Sequence, residues 1–123
     1  MDWLGQMIGL PACFLHSDDA ASGGVIQTTA SESTLVCLLA ARSEAIRRHQ
    51  SRFPGAKNGE VNGKVVAYCS DQAHSSVDKA GLIGLVQIRH LESDDKLSLR
   101  GETLKQAIHE DREKGLIPFF VRQ

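Results

Sequence analysis

The chain has 123 residues, enough for one domain with a modest hydrophobic core. Its 14 Lys and Arg nearly balance 15 Asp and Glu, so the composition favours neither a nucleic-acid partner nor a charged membrane surface. No apolar run approaches the roughly 18 residues that span a bilayer, and Asp2 follows Met1 with no basic region, which argues against a signal peptide.

Trp3, Leu4, Met7 and Ile8 share one face of a short helix that Pro11 ends. Residues 17–24 are small and polar, as in a loop. Val25, Ile26 and Gln27 form a brief extended segment. Thr29 and Glu32 then have capping-box spacing for a helix. That helix is apolar on nearly every side through Leu35, Val36, Leu38, Leu39, Ala40 and Ala41, which predicts packing from several directions. Arg42, Glu44, Arg47 and Arg48 return it to solvent. The Arg47-Arg48-His49 cluster falls near its end and reads as a complement to the helix dipole rather than a nucleic-acid patch.

Residues 53–63, with Pro54, Gly55, Gly59 and Gly63, predict a surface connection. A strand over 64–69, a helix over 75–84 and a strand over 86–91 follow, the last with Val86, Ile88 and His90 on one face. After an acidic turn at 92–96, residues 103–114 are amphipathic through Leu104, Ala107 and Ile108, with Glu110 and Lys114 at i, i+4 spacing. Gly115 suits the C′ position, and 116–121 is a final strand that reads as buried on both faces. Strands alternating with helices predict an α/β fold with a mostly parallel sheet and flanking helices. Only Arg122 and Gln123 follow that last strand, so an incomplete domain is expected.

Two segments could carry chemistry. Ser70-Asp71-Gln72-Ala73-His74-Ser75-Ser76-Val77 lies where a strand gives way to a helix, the usual ligand position in open α/β sheets. His74 could stack on a planar ligand or act as an acid or base, or it could be an ordinary surface histidine. Asp71 could brace the turn, and Ser75 with Asp78 has partial capping-box character. Thr28-Thr29-Ala30-Ser31 opens the long helix; its free N–H groups and the Thr29 and Ser31 hydroxyls could cradle a phosphate, or Thr29 could simply cap. His16, His49, His90 and His109 are isolated, and Cys13, Cys37 and Cys69 follow no metal-ligand spacing, so no metal site is expected. Cys37 and Cys69 read as small buried hydrophobes, and this cysteine usage fits a reducing, cytoplasmic setting.

Met1-Asp2-Trp3-Leu4-Gly5, Gly23-Gly24-Val25-Ile26-Gln27, Ala30-Ser31-Glu32-Ser33-Thr34-Leu35 and Leu39-Ala40-Ala41-Arg42 occur in order. They are followed by Ala67-Tyr68-Cys69, the octapeptide, Lys79-Ala80-Gly81-Leu82, Leu99-Arg100-Gly101 and Gly115-Leu116-Ile117-Pro118-Phe119-Phe120. The series resembles the group II pyridoxal-phosphate-dependent amino acid decarboxylases, in the branch of aromatic-L-amino-acid decarboxylase and histidine decarboxylase. The resemblance covers essentially the whole chain. It implies residues 1–123 of the large cofactor-binding domain of an aspartate-aminotransferase-like (fold type I) enzyme, working as a homodimer on a small amino acid. Under it, Thr29, Ala30 and Ser31 hold the phosphate of pyridoxal 5'-phosphate and the His74 ring stacks on the pyridine.

The chain also departs from that pattern. The family's reactive Lys follows a His, and none of Lys57, Lys64, Lys79, Lys96, Lys105 or Lys114 does. The Asp that pairs with the pyridine nitrogen has no counterpart either, so this chain alone is expected to be inactive. Thr28 stands where a Gly is common, and Arg122-Gln123 where the family continues Ala-Thr-Leu-Gly. Short motifs lean both ways on substrate. The expectation is an aromatic L-amino acid, such as DOPA or 5-hydroxytryptophan, with histidine as the alternative. A truncated, non-catalytic product acting through dimer contacts and a small phosphate-ligand module are the readings of other classes.

Overall fold

Six consecutive buried residues form the centre of the molecule, β1 (Val65–Ser70). Alternate side chains of a strand leave on opposite faces. Val65 and Ala67 accordingly join Leu38, Val86, Ile88, Ile117 and Phe119 on one side. Val66 and Tyr68 join Leu91, Ala107, Leu104 and Ile108 on the other. β1 pairs in parallel with β2 (Gln87–Leu91) and with β3 (Ile117–Arg122), giving the strand order β2-β1-β3. The computed structural model describes residues 1–16 and 22–122. Residues 17–21 of the loop expected at 17–24 lie outside the described residues, as does Gln123.

The helices are α1 (Asp2–Met7), α2 (Ala30–Arg52), α3 (Asn58–Asn62), α4 (Ser76–Gly84) and α5 (Gly101–Glu113). α2 and α4 pack together over one face of the sheet, and α5 covers the other. The close approach of α4 depends on its glycines: a Cβ on Gly81 would lie 2.3 Å from Cγ1 of Ile88 and 3.1 Å from the Val86 carbonyl oxygen. At the end of α4, Arg42 of α2 donates to the Gly84 carbonyl, supplying an acceptor's partner that the helix itself lacks. α5 ends before Gly115, whose φ of +75° is the left-handed C′ conformation the sequence predicted.

One polar network crosses the buried α5 face. The Tyr68 hydroxyl donates to Oδ2 of Asp111 at 2.8 Å, and Arg89 donates to Oδ1 of Asp111 and to Oε2 of Glu110, both at 2.7 Å. Burial opposes ionisation of Asp111, but Arg89 and the Tyr68 hydroxyl outweigh it and hold the carboxyl below its ordinary range. Burial, with the Asp111 hydrogen bond, pushes the Tyr68 phenol up. Three elements (β1, β2 and α5) are thereby tied through one carboxylate.

The α/β class and the parallel sheet match expectation; several details differ. Residues 25–27 belong to no strand, and Val25 and Ile26 are exposed, because the three strands pair without them. α2 is covered on one side: Leu38 is buried, whereas Val36, Ala40 and Cys37 are exposed. α2 also continues to Arg52, and Arg47 and Arg48 turn back to Glu44 rather than marking its end. The connection at 53–63 contains α3, which buries Val61. Glu110 pairs with Arg89 and not Lys114, since the guanidinium from β2 reaches it across the sheet edge. β3 is an edge strand and half-buried, not buried on both faces. The apolar face of α1 is exposed, with Trp3 at 85% and Met7 at 83%.

Two outcomes follow from this packing. Gly81→Ala should cost about 1–3 kcal/mol by urea denaturation because backbone and Ile88 must shift, whereas Gly59→Ala, which meets open space, should change stability by about 0.5 kcal/mol or less. Asp111→Ala should cost about 2–3 kcal/mol, the partly exposed Arg89 tempering the loss. The Asp111 carboxyl has a lowered folded pKa, so its contribution is present above the unfolded value of about 4 and lost as pH falls below it. Stability measured from pH 7 down to 2 should therefore show a drop below about pH 4 that Asp111→Asn flattens.

Candidate functional site

α2 begins at Ala30 because Thr29 caps it. Thr29 is extended, with φ −139° and ψ 156°, and its Oγ1 accepts from the Glu32 N–H at 3.1 Å. Its carbonyl oxygen takes the Ser33 N–H. The reciprocal half of the capping box is absent: the Glu32 carboxylate accepts from the Thr28 hydroxyl instead. Helix geometry leaves the first N–H groups without intrahelical acceptors, so those of Ala30 and Ser31 face outward with the positive end of the dipole.

At the carboxyl end of β1 the chain turns through residues 71–75 into α4. Ser75, the N-cap of α4, makes no side-chain cap, and Asp78 turns to His90, so the expected capping pair does not form. His74 is held by another contact: its Nδ1 accepts from the Ser76 N–H at 3.1 Å. A backbone N–H can only donate, so Nδ1 carries the lone pair and the neutral ring holds its proton on Nε2. Asp71 does brace the turn. Its Oδ1 accepts from the hydroxyls of Ser93 at 2.5 Å and Ser70 at 3.2 Å, and the Ser93 hydroxyl foremost holds its carboxyl below the ordinary range.

These two helix starts face one cleft of about 470 Å³, walled by Ala30, Ser31 and Thr34 from α2, by Gln72, Ala73, His74, Ser76 and Val77, and by Arg122. It opens at the carboxyl ends of β1 and β3, the side of an open α/β sheet on which ligands bind. Of the residues singled out by sequence, the fold brings Ala30, Ser31 and His74 together. Thr29 does not line the cleft; it fixes the helix start behind it. Arg122 was missed, although the strand-end rule that drew attention to His74 applies equally to β3. Thr34 lies one helical turn beyond Ala30 and donates to its carbonyl, a position the 3.6-residue period makes readable. The cleft wall carries one guanidinium and no carboxylate, so its field favours an anion. Wider grooves beside α1 (about 810 Å³) and between α2 and β3 (about 730 Å³) lack that pairing of helix N-terminus and strand end.

The whole chain, residues 1–123, matches the pyridoxal-dependent decarboxylase conserved domain, and the protein belongs to that family. It is 60% identical over 122 residues to histidine decarboxylase of Drosophila melanogaster, covering 98% of this chain and 14% of that protein. It is 54% identical over 121 residues to aromatic-L-amino-acid decarboxylase of Sus scrofa, covering 98% of this chain and 25% of that protein. Among solved structures, Oryza sativa TDC with PLP superposes with a TM-score of 0.78 at 33% identity, over 98% of this chain and 26% of that one. The chain thus spans a quarter or less of the curated relatives just named.

The cleft fits pyridoxal 5'-phosphate in kind: outward N–H groups and a hydroxyl for a phosphate, a flat pinned imidazole for a planar ring, and no carboxylate in the wall. Among the described residues no cluster of His, Cys, Asp and Glu could hold a metal. No described helix is long and apolar enough to cross a membrane.

Because Thr29 acts as the cap, Thr29→Ala should lower stability by about 1 kcal/mol, and Thr29→Ser should restore most of it. Thermal melts of the three proteins check this; equal melting of Thr29→Ala and the unmodified chain would remove the cap from the account.

Proposed function

We propose that this segment holds the phosphate and one ring face of pyridoxal 5'-phosphate in a decarboxylase acting on an aromatic L-amino acid such as DOPA or 5-hydroxytryptophan. The observation that carries this reading is the meeting of the uncovered α2 N-terminus and the pinned His74 ring in one cleft at the strand ends. Ala30 and Ser31 offer N–H groups and Ser31 a hydroxyl to the phosphate. Thr29 aims those groups by capping the helix. His74, its Nδ1 occupied by the Ser76 N–H, presents its face for stacking. When bound, the cofactor supplies an electron-withdrawing ring for the electron pair left as carbon dioxide departs. No lysine lines the cleft, so binding by these residues is non-covalent.

Histidine as substrate is the second reading, favoured by the higher identity to the fly histidine decarboxylase. Two further parts belong to the proposal. The exposed face of α1, with Trp3, Met7 and Ile8, supports assembly as a homodimer. Unpaired Cys13, Cys37 and Cys69 support a reducing, cytoplasmic setting.

Equilibrium dialysis of the chain against pyridoxal 5'-phosphate and against pyridoxal tests the site. The phosphate form should bind about tenfold more tightly and be displaced by inorganic phosphate. His74→Ala should weaken it about fivefold or more, the low end of the stacking range of about 1–3 kcal/mol. Equal affinity for the two forms would overturn the phosphate role. For the reaction, amine release from DOPA, 5-hydroxytryptophan and histidine by the expressed gene product decides the substrate. Turnover of histidine alone would replace the aromatic reading with the second one.

A further inference from the structure

We propose that the end of β2 and the turn after it, through His90 and Ser93, form a positioning clamp that draws two carboxylates away from the cleft while fixing the segment that carries His74. The inference rests on the cofactor reading above and adds residues from β2 and the turn after it, neither of which lines the cleft.

Within residues 72–77, the part of the β1–α4 connection that lines the cleft, five of the six side chains face it. The residues immediately outside that run are Asp71 and Asp78. Both are acidic, and both sit one position from the wall of a cleft whose helix dipole and guanidinium favour an anion. A carboxylate swung toward that cleft would oppose a phosphate there. In the folded chain each is instead engaged by β2 or by the turn directly after it.

Asp71 is held at three points. Its N–H donates to the Leu91 carbonyl at 3.0 Å, continuing the β1–β2 ladder by one bond. Its carboxylate accepts from Ser93, and the Ser93 and Ser70 hydroxyls lie 2.9 Å apart. Ser70 is buried and also accepts the Gln72 N–H at 3.1 Å, so the same cluster sets the first residue of the cleft wall.

Asp78, in the first turn of α4, has its Oδ1 2.7 Å from Nε2 of His90. The other ring nitrogen of His90 faces the Cys69 sulfur at 3.5 Å. Burial, with the nearby Asp78 charge, pushes the Cys69 thiol up, so it stays protonated and donates to Nδ1; Nε2–H is then directed at Asp78. The order Cys–His–Asp resembles a nucleophile relay, but Cys69 has 0% exposure and no substrate can reach its sulfur. Its role here is to orient the imidazole.

The test uses the chain itself, with two readouts. One is the affinity for pyridoxal 5'-phosphate. The other, which needs no cofactor, is the ¹⁵N NMR signature of the His74 imidazole, whose Nε2–H tautomer the Ser76 contact fixes. His90→Ala and Ser93→Ala should each weaken affinity about three- to fivefold, the scale of one partly screened charge, and should average the His74 tautomers. Ser93→Thr, which keeps the hydroxyl, should match the unmodified chain. Adding Asp78→Asn to His90→Ala, or Asp71→Asn to Ser93→Ala, should recover most of the affinity; failure of both rescues overturns the charge role.

Asp78→Asn alone keeps an acceptor for His90 and should change affinity by less than about twofold. Tightening of about fivefold or more would show the carboxylate already acting on the cleft and would overturn the proposal without relying on a destabilised variant. If the unmodified chain fails to bind the cofactor, the functional reading fails separately. The clamp is then judged by the His74 signals: averaging in both alanine variants supports it, and unchanged signals overturn it.

Discussion

Everything at the cleft depends on the burial of β1 on both faces. A strand covered by α2 and α4 on one side and α5 on the other cannot shift register without moving its whole apolar set, since one residue of slip exchanges the faces. The point where polar residues begin, at Ser70, is therefore fixed relative to the sheet edge. From there the chain reaches α4 within five residues, and the approach of α4 is set in turn by the space above Gly81 and Gly84. His74 is thus positioned by packing that lies behind it and includes none of its own contacts with ligand.

The second constraint is electrostatic. α2 brings the partial positive charge of a long helix to the same place, and Arg122 adds a full one. Asp71, Asp78 and Glu32, the acidic residues nearest in sequence to these elements, are engaged by Ser93, His90 and Thr28. The field of the cleft is therefore a product of where carboxylates are held as much as of where cations stand. Hydroxyl and imidazole partners do this without placing further positive charge in the wall.

Local sequence signals made much of this legible. The short apolar run from Val65 to Tyr68 identified β1, the Thr29 and Glu32 spacing located the start of α2, and Gly115 marked the end of α5. What escaped had causes outside local sequence. The apolar run of α2 looked buried all round, yet Val36 and Cys37 are exposed, because periodicity states which residues are apolar and not how many neighbours the fold supplies. Glu110 had two possible cations, and the choice of Arg89 over Lys114 follows from β2 and α5 facing each other across the sheet. The His90 and Ser93 contacts to Asp78 and Asp71 span 12 and 22 positions, beyond any helix or turn spacing. Their meeting is a property of strand order.

Strand order also bears on what this segment can select. The cleft is walled by two helix N-termini, one imidazole, one guanidinium and neutral, mostly small side chains, a set suited to a phosphate and a flat ring, and they form no enclosed pocket shaped for a particular amino acid side chain. Proteins whose names assign them to histidine and to aromatic amino acids share this segment to similar extents. The groups in its wall are thus matched to an anion and a planar ring, features a cofactor would present alike whichever amino acid is bound.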